Sequence, residues 1–323
     1  MSPASTLPEV PLSLSQELTP PPSSTPVSIP AASIFTPEYL KHLNQRLARL
    51  SPEKILEWAL ISLPNLYQTT AFGLTGLVIL DMISKISKQQ WKETRPDERE
   101  TTAPVHQVPL IFIDTLYHFD ETVDLAHRAA QHYNAPMHIA KPEACDTRED
   151  FVRIHGDRLW ETDPDIYDYL VKVEPARRTY QQMNVQAFIT GRRRSQGASR
   201  GSIDIVEFDA TSTPPMIKLN PLASWDYQTV WTYIQVNSVP YNPLHDKGYK
   251  SVGDYHSTQP TLPGENERDG RWRGQQKTEC GLHKDHTKMR SNFVAAKKRK
   301  IALDVTKVVV EVSTTMESGD PTI

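Results

Sequence analysis

The sequence predicts an α/β domain with a mostly parallel sheet and helices on both faces. Three observations carry that prediction. Short apolar runs alternate with stretches of helical periodicity along the middle of the chain. Runs such as Val108–Ile113 are apolar throughout, as strands buried on both faces are. Segments rich in threonine, glycine and arginine follow several of these runs directly, at the carboxyl ends of strands, where such sheets bind ligands.

Residues 1–33 are rich in proline, serine and threonine and have little to bury, so a disordered tail is expected. Thr36-Pro37-Glu38 reads as an N-cap with proline at the first helical position, and Leu40, Leu43, Leu47 and Leu50 follow at helical spacing. Ser51-Pro52-Glu53 opens a second helix that stops near Pro64. Asn65–Thr70 reads as a strand, Gly73–Ile86 as an apolar helix, and Ser87 to Gln107 as a polar linker. Val108–Ile113 is a buried strand ending at Asp114. Phe119–Tyr133 is an amphipathic helix with Asp120 and Glu121 at its start, as the helix dipole prefers. Pro136–Ala140 is a strand, and Asp163–Met183 is helical with an interruption before Pro175. Val185–Thr190 is a strand running into Gly191, Ile203–Phe208 and Met216–Leu219 are later strands, and Trp225–Val236 is a helix. Val305–Val312 has the character of a further strand.

A length of 323 residues, 38% of them hydrophobic, allows one good-sized core. The net charge of -3 argues against a dedicated nucleic-acid binder. Two cysteines make no disulfide framework, which points to a reducing compartment. The first residues lack the pattern of a secretory signal, and the longest apolar run, Leu74 to Met82, is too short to span a bilayer. A soluble, cytoplasmic protein is expected. Three regions follow: the tail 1–33, an α/β domain over 34–258 with the N-terminal helices, and a segment 259–323 that carries Cys280. Gly264, Gly270, Gly274 and many charges between Pro260 and Gly274 suit a mobile arm.

Cys280 lies in Lys277-Thr278-Glu279-Cys280-Gly281-Leu282-His283, a polar stretch unlike a core. Nearby cations favour a thiolate, the nucleophilic form, and a lone cysteine beside a histidine suits covalent catalysis. Cys145, in Pro142-Glu143-Ala144-Cys145-Asp146, reads as an inert residue. Thr69-Thr70-Ala71-Phe72-Gly73 offers small hydroxyls and backbone amides at a helix start, suited to a phosphate or sulfate. The loop from Gly191 to Gly201 packs Arg192, Arg193, Arg194 and Arg200 among three glycines, and arginine grips phosphate through a bidentate fork. His245 and His256 do not have the spacing of a zinc site, so no metal is expected.

In this order and spacing, the chain closely resembles the phosphoadenylyl-sulfate (PAPS) reductases, thioredoxin-dependent enzymes of sulfate assimilation, and most of all their fungal branch. The resemblance runs from about Leu66 to His283 and rests on several segments. They are Thr69–Gly73, Asp114-Thr115, Lys172-Val173-Glu174-Pro175, Gly191–Gly197, Tyr249–Thr258 and Glu279–His283. It implies an adenine-nucleotide α-hydrolase-like fold, with Thr69–Gly73 where ATP-cleaving relatives carry Ser-Gly-Gly-x-Asp-Ser. It implies Cys280 as the catalytic residue and Thr69, Thr70, Phe72, Gly73, Asp114, Arg193, Arg194, Gln196, Arg200, His256 and His283 as substrate-binding residues. Reduction of PAPS to sulfite and adenosine 3′,5′-bisphosphate through a Cys280 S-sulfonate is implied, with thioredoxin as partner and a homodimer as the common state. Adenylyl-sulfate reductases of this fold carry a 4Fe-4S cluster held by four cysteines; with two in the sequence, no cluster and no other bound cofactor is expected. Leu116 stands where many members have glycine after Asp-Thr. Two other readings stay open: an adenylating enzyme of the ATP-pyrophosphatase type, and a non-catalytic nucleotide-binding module in which Cys280 senses redox state.

Overall fold

The computed structural model describes residues 31–94 and 104–299, apart from Thr213, Gln276, Thr278, His286 and Lys297. Most of the tail expected to be disordered (residues 1–30) and the strand expected at Val305–Val312 lie outside the described residues. After a single turn, α1 (Ala31–Ile34), come α2 (Pro37–Leu47) and α3 (Pro52–Ser62). Thr36 and Ser51 cap them by accepting the Tyr39 and Lys54 amide N–H groups.

Alternation then sets in: β1 (Leu66–Thr70), α4 (Leu74–Thr94), β2 (Leu110–Ile113), α5 (Asp120–His132) and β3 (Met137–Ala140). Three helices follow, α6 (Arg148–His155), α7 (Leu159–Thr162) and α8 (Pro164–Asp168), then a π-helical turn over Tyr169–Val173 that leads straight into α9 (Glu174–Gln182). Next come β4 (Ala187–Ile189), β5 (Val206–Asp209), β6 (Met216–Leu219) and α10 (Tyr227–Val236). Among the described residues, no helix is long and apolar enough to cross a membrane.

The six strands lie in the order β3-β2-β1-β4-β6-β5, parallel except for the antiparallel edge strand β5. This is the expected class. Leu77, Ile79, Leu110, Ile189 and Leu219 are buried in the core between sheet and helices. The chain order reverses at β1 and β4, which are neighbours, and a crevice opens there at their carboxyl ends. Two glycines let the walls of that crevice meet. A Cβ on Gly191 would lie 3.2 Å from the Gly76 amide nitrogen, and one on Gly76 would lie 2.8 Å from Thr70 Oγ1.

The outer edge of the sheet is covered. Asn44 on α2 donates to the Val206 carbonyl at 2.9 Å and accepts the Val206 N–H at 2.8 Å. Its amide thereby answers β5 as a neighbouring strand would.

Three expectations need correction. Helix α4 continues to Thr94, so the polar stretch after Ser87 begins as helix; Gln89 and Glu93, four residues apart, pair at 2.9 Å on its exposed side. No break precedes Pro175, since the widened turn at Tyr169–Val173 carries the chain into α9 with proline in its first turn. Helix α6 was not foreseen, although Thr147 and Asp150 form a reciprocal capping box at its start.

Candidate active site

Above the crevice lies a cavity of about 230 Å³. Its walls come from the loop after β1, the loop after β4, residues 250–254, and the segment from Glu267 to His283. Lys172, Arg192, Arg193, Arg200, Lys250, Arg268 and Arg271 line it against two carboxylates, Asp254 and Glu267. Such an excess of cations suits a polyanion. Cys280 is part of the wall, along with Thr69, Thr70, Gly73, Gln196 and His283.

Several buried side-chain nitrogens of the wall residues have no hydrogen-bond partner among the described residues. The buried Nε atoms of Arg192 and Arg271 and the Nδ1 atoms of His118 and His283 lack a hydrogen-bond partner among the described residues. Buried polar nitrogens are rarely left so. Burial pushes His283 well below the usual imidazole range, and Arg200 and Arg192 push it the same way, so it is neutral at pH 7. Burial also lowers Arg271, whose guanidinium donates to the Val252 carbonyl at 3.1 Å and lies over Trp272.

Two of the expected arginines hold the Cys280 segment. Arg193 donates to Thr75 Oγ1 at 2.9 Å and forks onto Glu267 at 2.6 and 2.9 Å. Arg200 forks onto Glu279 at 2.5 and 2.6 Å and reaches Gln196 Oε1 at 2.5 Å. Burial opposes the Glu279 charge, but its bonds to Arg200 hold the carboxyl below the usual range. Glu279, Cys280 and His283 bring possible metal-donor atoms within 4.8 Å of one another. Both Glu279 oxygens accept from Arg200, and the surrounding wall is cationic.

Other expected residues are not brought to the cavity wall. Phe72 turns into the core and packs edge-on against Phe112; it has φ +54°, a left-handed conformation stabilised by a 2.9 Å bond from its N–H to Thr70 Oγ1. Asp114 closes a turn by accepting the Leu116 N–H at 2.9 Å. Leu116 itself has φ +66°, so leucine here adopts the strained conformation that glycine would take freely. Arg194 donates to the Ile203 carbonyl and braces its own loop. His256 lies behind the wall, stacked on Trp160 at 4.2 Å and bonded to the Tyr167 hydroxyl; burial lowers it to about 4.

Sequence reasoning overlooked a buried charged cluster beneath the cavity. Lys172 bonds Asp168 at 3.0 Å and Asp254 at 2.6 Å, Asp254 also accepts from Thr115 at 2.8 Å, and Lys277 pairs with Asp168 at 2.6 Å. Burial opposes all these charges, yet Asp168 and Asp254 hold Lys172 above the ordinary lysine range, and Lys172 pulls both carboxyls below theirs. Lys172 and Asp254 stood within noticed motifs, which was the available signal; nothing local marked Asp168. Cys145 is buried in a separate apolar cluster with Phe151, and burial pushes its thiol up.

Comparison with known proteins agrees with this arrangement. Residues 65–260 match the family model for the phosphoadenosine phosphosulfate reductase domain. A phosphoadenosine phosphosulfate reductase of Emericella nidulans is 50% identical over 79% of this chain and 78% of its own. A probable phosphoadenosine phosphosulfate reductase of Schizosaccharomyces pombe is 47% identical over 85% and 95%. The crystal structure of a Candida auris phosphoadenylyl-sulfate reductase, in complex with phosphate, superposes with a TM-score of 0.59 at 48% identity, covering 69% of this chain and 98% of that one. With a sheet of the expected class and a cation-lined cavity that includes Cys280, the chain belongs to the phosphoadenosine phosphosulfate reductase family, oxidoreductases of sulfate assimilation.

Proposed function

We propose that the chain reduces PAPS to sulfite and adenosine 3′,5′-bisphosphate, with Cys280 as nucleophile and thioredoxin as electron donor. The observation that carries this reading is the cavity wall that sets Cys280 among Lys172, Arg192, Arg193, Arg200, Lys250, Arg268 and Arg271. A nucleotide with several phosphate and sulfate oxygens supplies the negative charge these cations match.

The Cys280 thiolate attacks the sulfur of the sulfo group, and the bond from that sulfur to the phosphate oxygen breaks. Its electron pair leaves with adenosine 3′,5′-bisphosphate. This leaving group is a stable anion, so the cations of the wall stabilise developing charge and no strong general acid is needed. A thioredoxin thiolate then attacks Cys280 Sγ, and sulfite departs with the electron pair of the S–S bond. The second thioredoxin thiol resolves the mixed disulfide and returns Cys280 as a thiol. Sulfur gains two electrons, and thioredoxin becomes a disulfide. The Cys280 segment must open between the two halves of the cycle, because thioredoxin is a protein and Cys280 is half-buried.

Intact mass spectrometry tests the first half. Reduced protein mixed with PAPS, without thioredoxin, is expected to gain one SO3 unit on Cys280, and Cys280→Ser is expected to abolish it and sulfite release with it. An adduct on Cys145 would reassign the nucleophile. Pyrophosphate release from ATP, or bisphosphate binding with no sulfite formed, would replace the reading with one of the two other classes.

A further inference from the structure

We propose that Asp168 is the positioning residue that sets the Cys280 sulfur for attack, an inference that rests on the reductase reading above. Asp168 is fully buried and does not line the cavity. Its Oδ2 accepts from Lys277 Nζ at 2.6 Å and from the Gly281 N–H at 3.1 Å. Lys277 precedes Cys280 by three residues and Gly281 follows it directly. One carboxylate oxygen thus fastens the chain on both sides of the nucleophile.

The footing of that oxygen is tied into the fold. The other carboxylate oxygen, Oδ1, accepts from Lys172, which reaches on to Asp254 and through it to Thr115 in the loop after β2. The π-helical turn begins at the residue after Asp168, and Tyr169 in that turn stacks on Phe293 at 4.7 Å. Contact at Gly281 is tight. A Cβ there would lie 3.0 Å from Asp168 Cβ and 3.1 Å from Val173 Cγ2. The backbone beside Cys280 therefore rests directly on Asp168, and Cys280 is carried at a fixed height above it. Misplacing a reacting atom by about 1 Å costs as much as about a hundredfold in rate.

The test uses the reduced full chain and the variants Asp168→Asn, Lys277→Met and Gly281→Ala. Three quantities are read: the rate of S-sulfonate formation with PAPS alone, the Kd for adenosine 3′,5′-bisphosphate, and the rate of Cys280 alkylation by iodoacetamide without nucleotide. Each variant is expected to slow S-sulfonate formation by about ten- to a hundredfold. Bisphosphate affinity is expected to stay within about twofold, and alkylation to speed up as the segment loosens. Asp168→Asn combined with Lys277→Met is expected to be no slower than the slower single variant, since both remove one contact. Unchanged S-sulfonate rates, or a bisphosphate affinity that falls in step with the rate, would overturn the proposal. Should Asp168→Asn fail to fold, Lys277→Met and Gly281→Ala decide by the same criteria. Should the wild-type chain form no adduct, the reductase reading fails on its own, and unchanged alkylation in Lys277→Met overturns the positioning role separately.

Discussion

The sheet and the segment that carries Cys280 are held by different forces. Around β1, β2 and β4 the contacts are apolar, with Leu77, Ile79, Leu110 and Ile189 removed from water. Hydrophobic burial of this kind is non-directional and spread over many side chains. From Glu267 to Gly281 buried ion pairs stand out among the ties: Arg193 to Glu267, Arg200 to Glu279, and Asp168 to Lys277. A buried ion pair adds little net stability over an apolar replacement, but removing one partner strands the other charge at high cost. The frame is thus held by many spread contacts, whereas the Cys280 segment leans on directional bonds between charged groups.

This contrast can be broken from either side. The largest effect is expected from Arg200→Ala, which leaves Glu279 with only Arg268, at 3.4 Å, as ion-pair partner among the described residues. Losing the fork costs the segment about 3 kcal/mol. Proteolysis within residues 260–280 and iodoacetamide labelling of Cys280 are expected to accelerate by roughly a hundredfold, while the melting temperature of the domain moves little. Leu77→Ala does the reverse. Leu77 is fully buried, and its truncation costs about 2–5 kcal/mol and lowers the melting temperature by roughly 5–10 °C, with Cys280 labelling at 25 °C unchanged.

Acid is expected to weaken both regions. Burial holds His106 in the core, and His245, His256 and His283 near the cavity, below the usual imidazole value of 6.5. Below that pH the unfolded chain takes up protons that the folded chain does not, so this stability is complete above 6.5 and lost as pH falls. The melting temperature is expected to be lower at pH 5.5 than at pH 7.5, measured by calorimetry. Asp168 and Asp254 remain ionised over that range, because their lysine partners hold them below 3.8. The smallest effect belongs to Lys284→Ala. Its pair with Asp165, at 3.1 Å, is exposed, and neither melting temperature nor Cys280 labelling is expected to change.

Much of the frame was legible because its signals are local. Met216–Leu219 was read to the residue, and strand β1 to within one. The start of α2 was written in Thr36-Pro37. Local reasoning failed where residues pull against their neighbourhood. Lys88, Gln89, Gln90 and Lys92 look like a linker because they are polar, but all are good helix formers on the exposed side of α4. Cys280, Arg193 and Arg200 announced themselves by residue type and spacing. The Asp168 contact did not, since it joins positions 113 residues apart and has no motif of its own. Phe72 and Arg194 were expected to bind substrate, but backbone direction, which no motif records, turns their side chains away from the cavity.

Asn44 carries one further consequence. By satisfying both main-chain groups of Val206, it denies that position on the rim of the sheet to any incoming strand from another molecule. Two copies of this protein cannot join by extending their sheets at Val206 unless α2 first peels away.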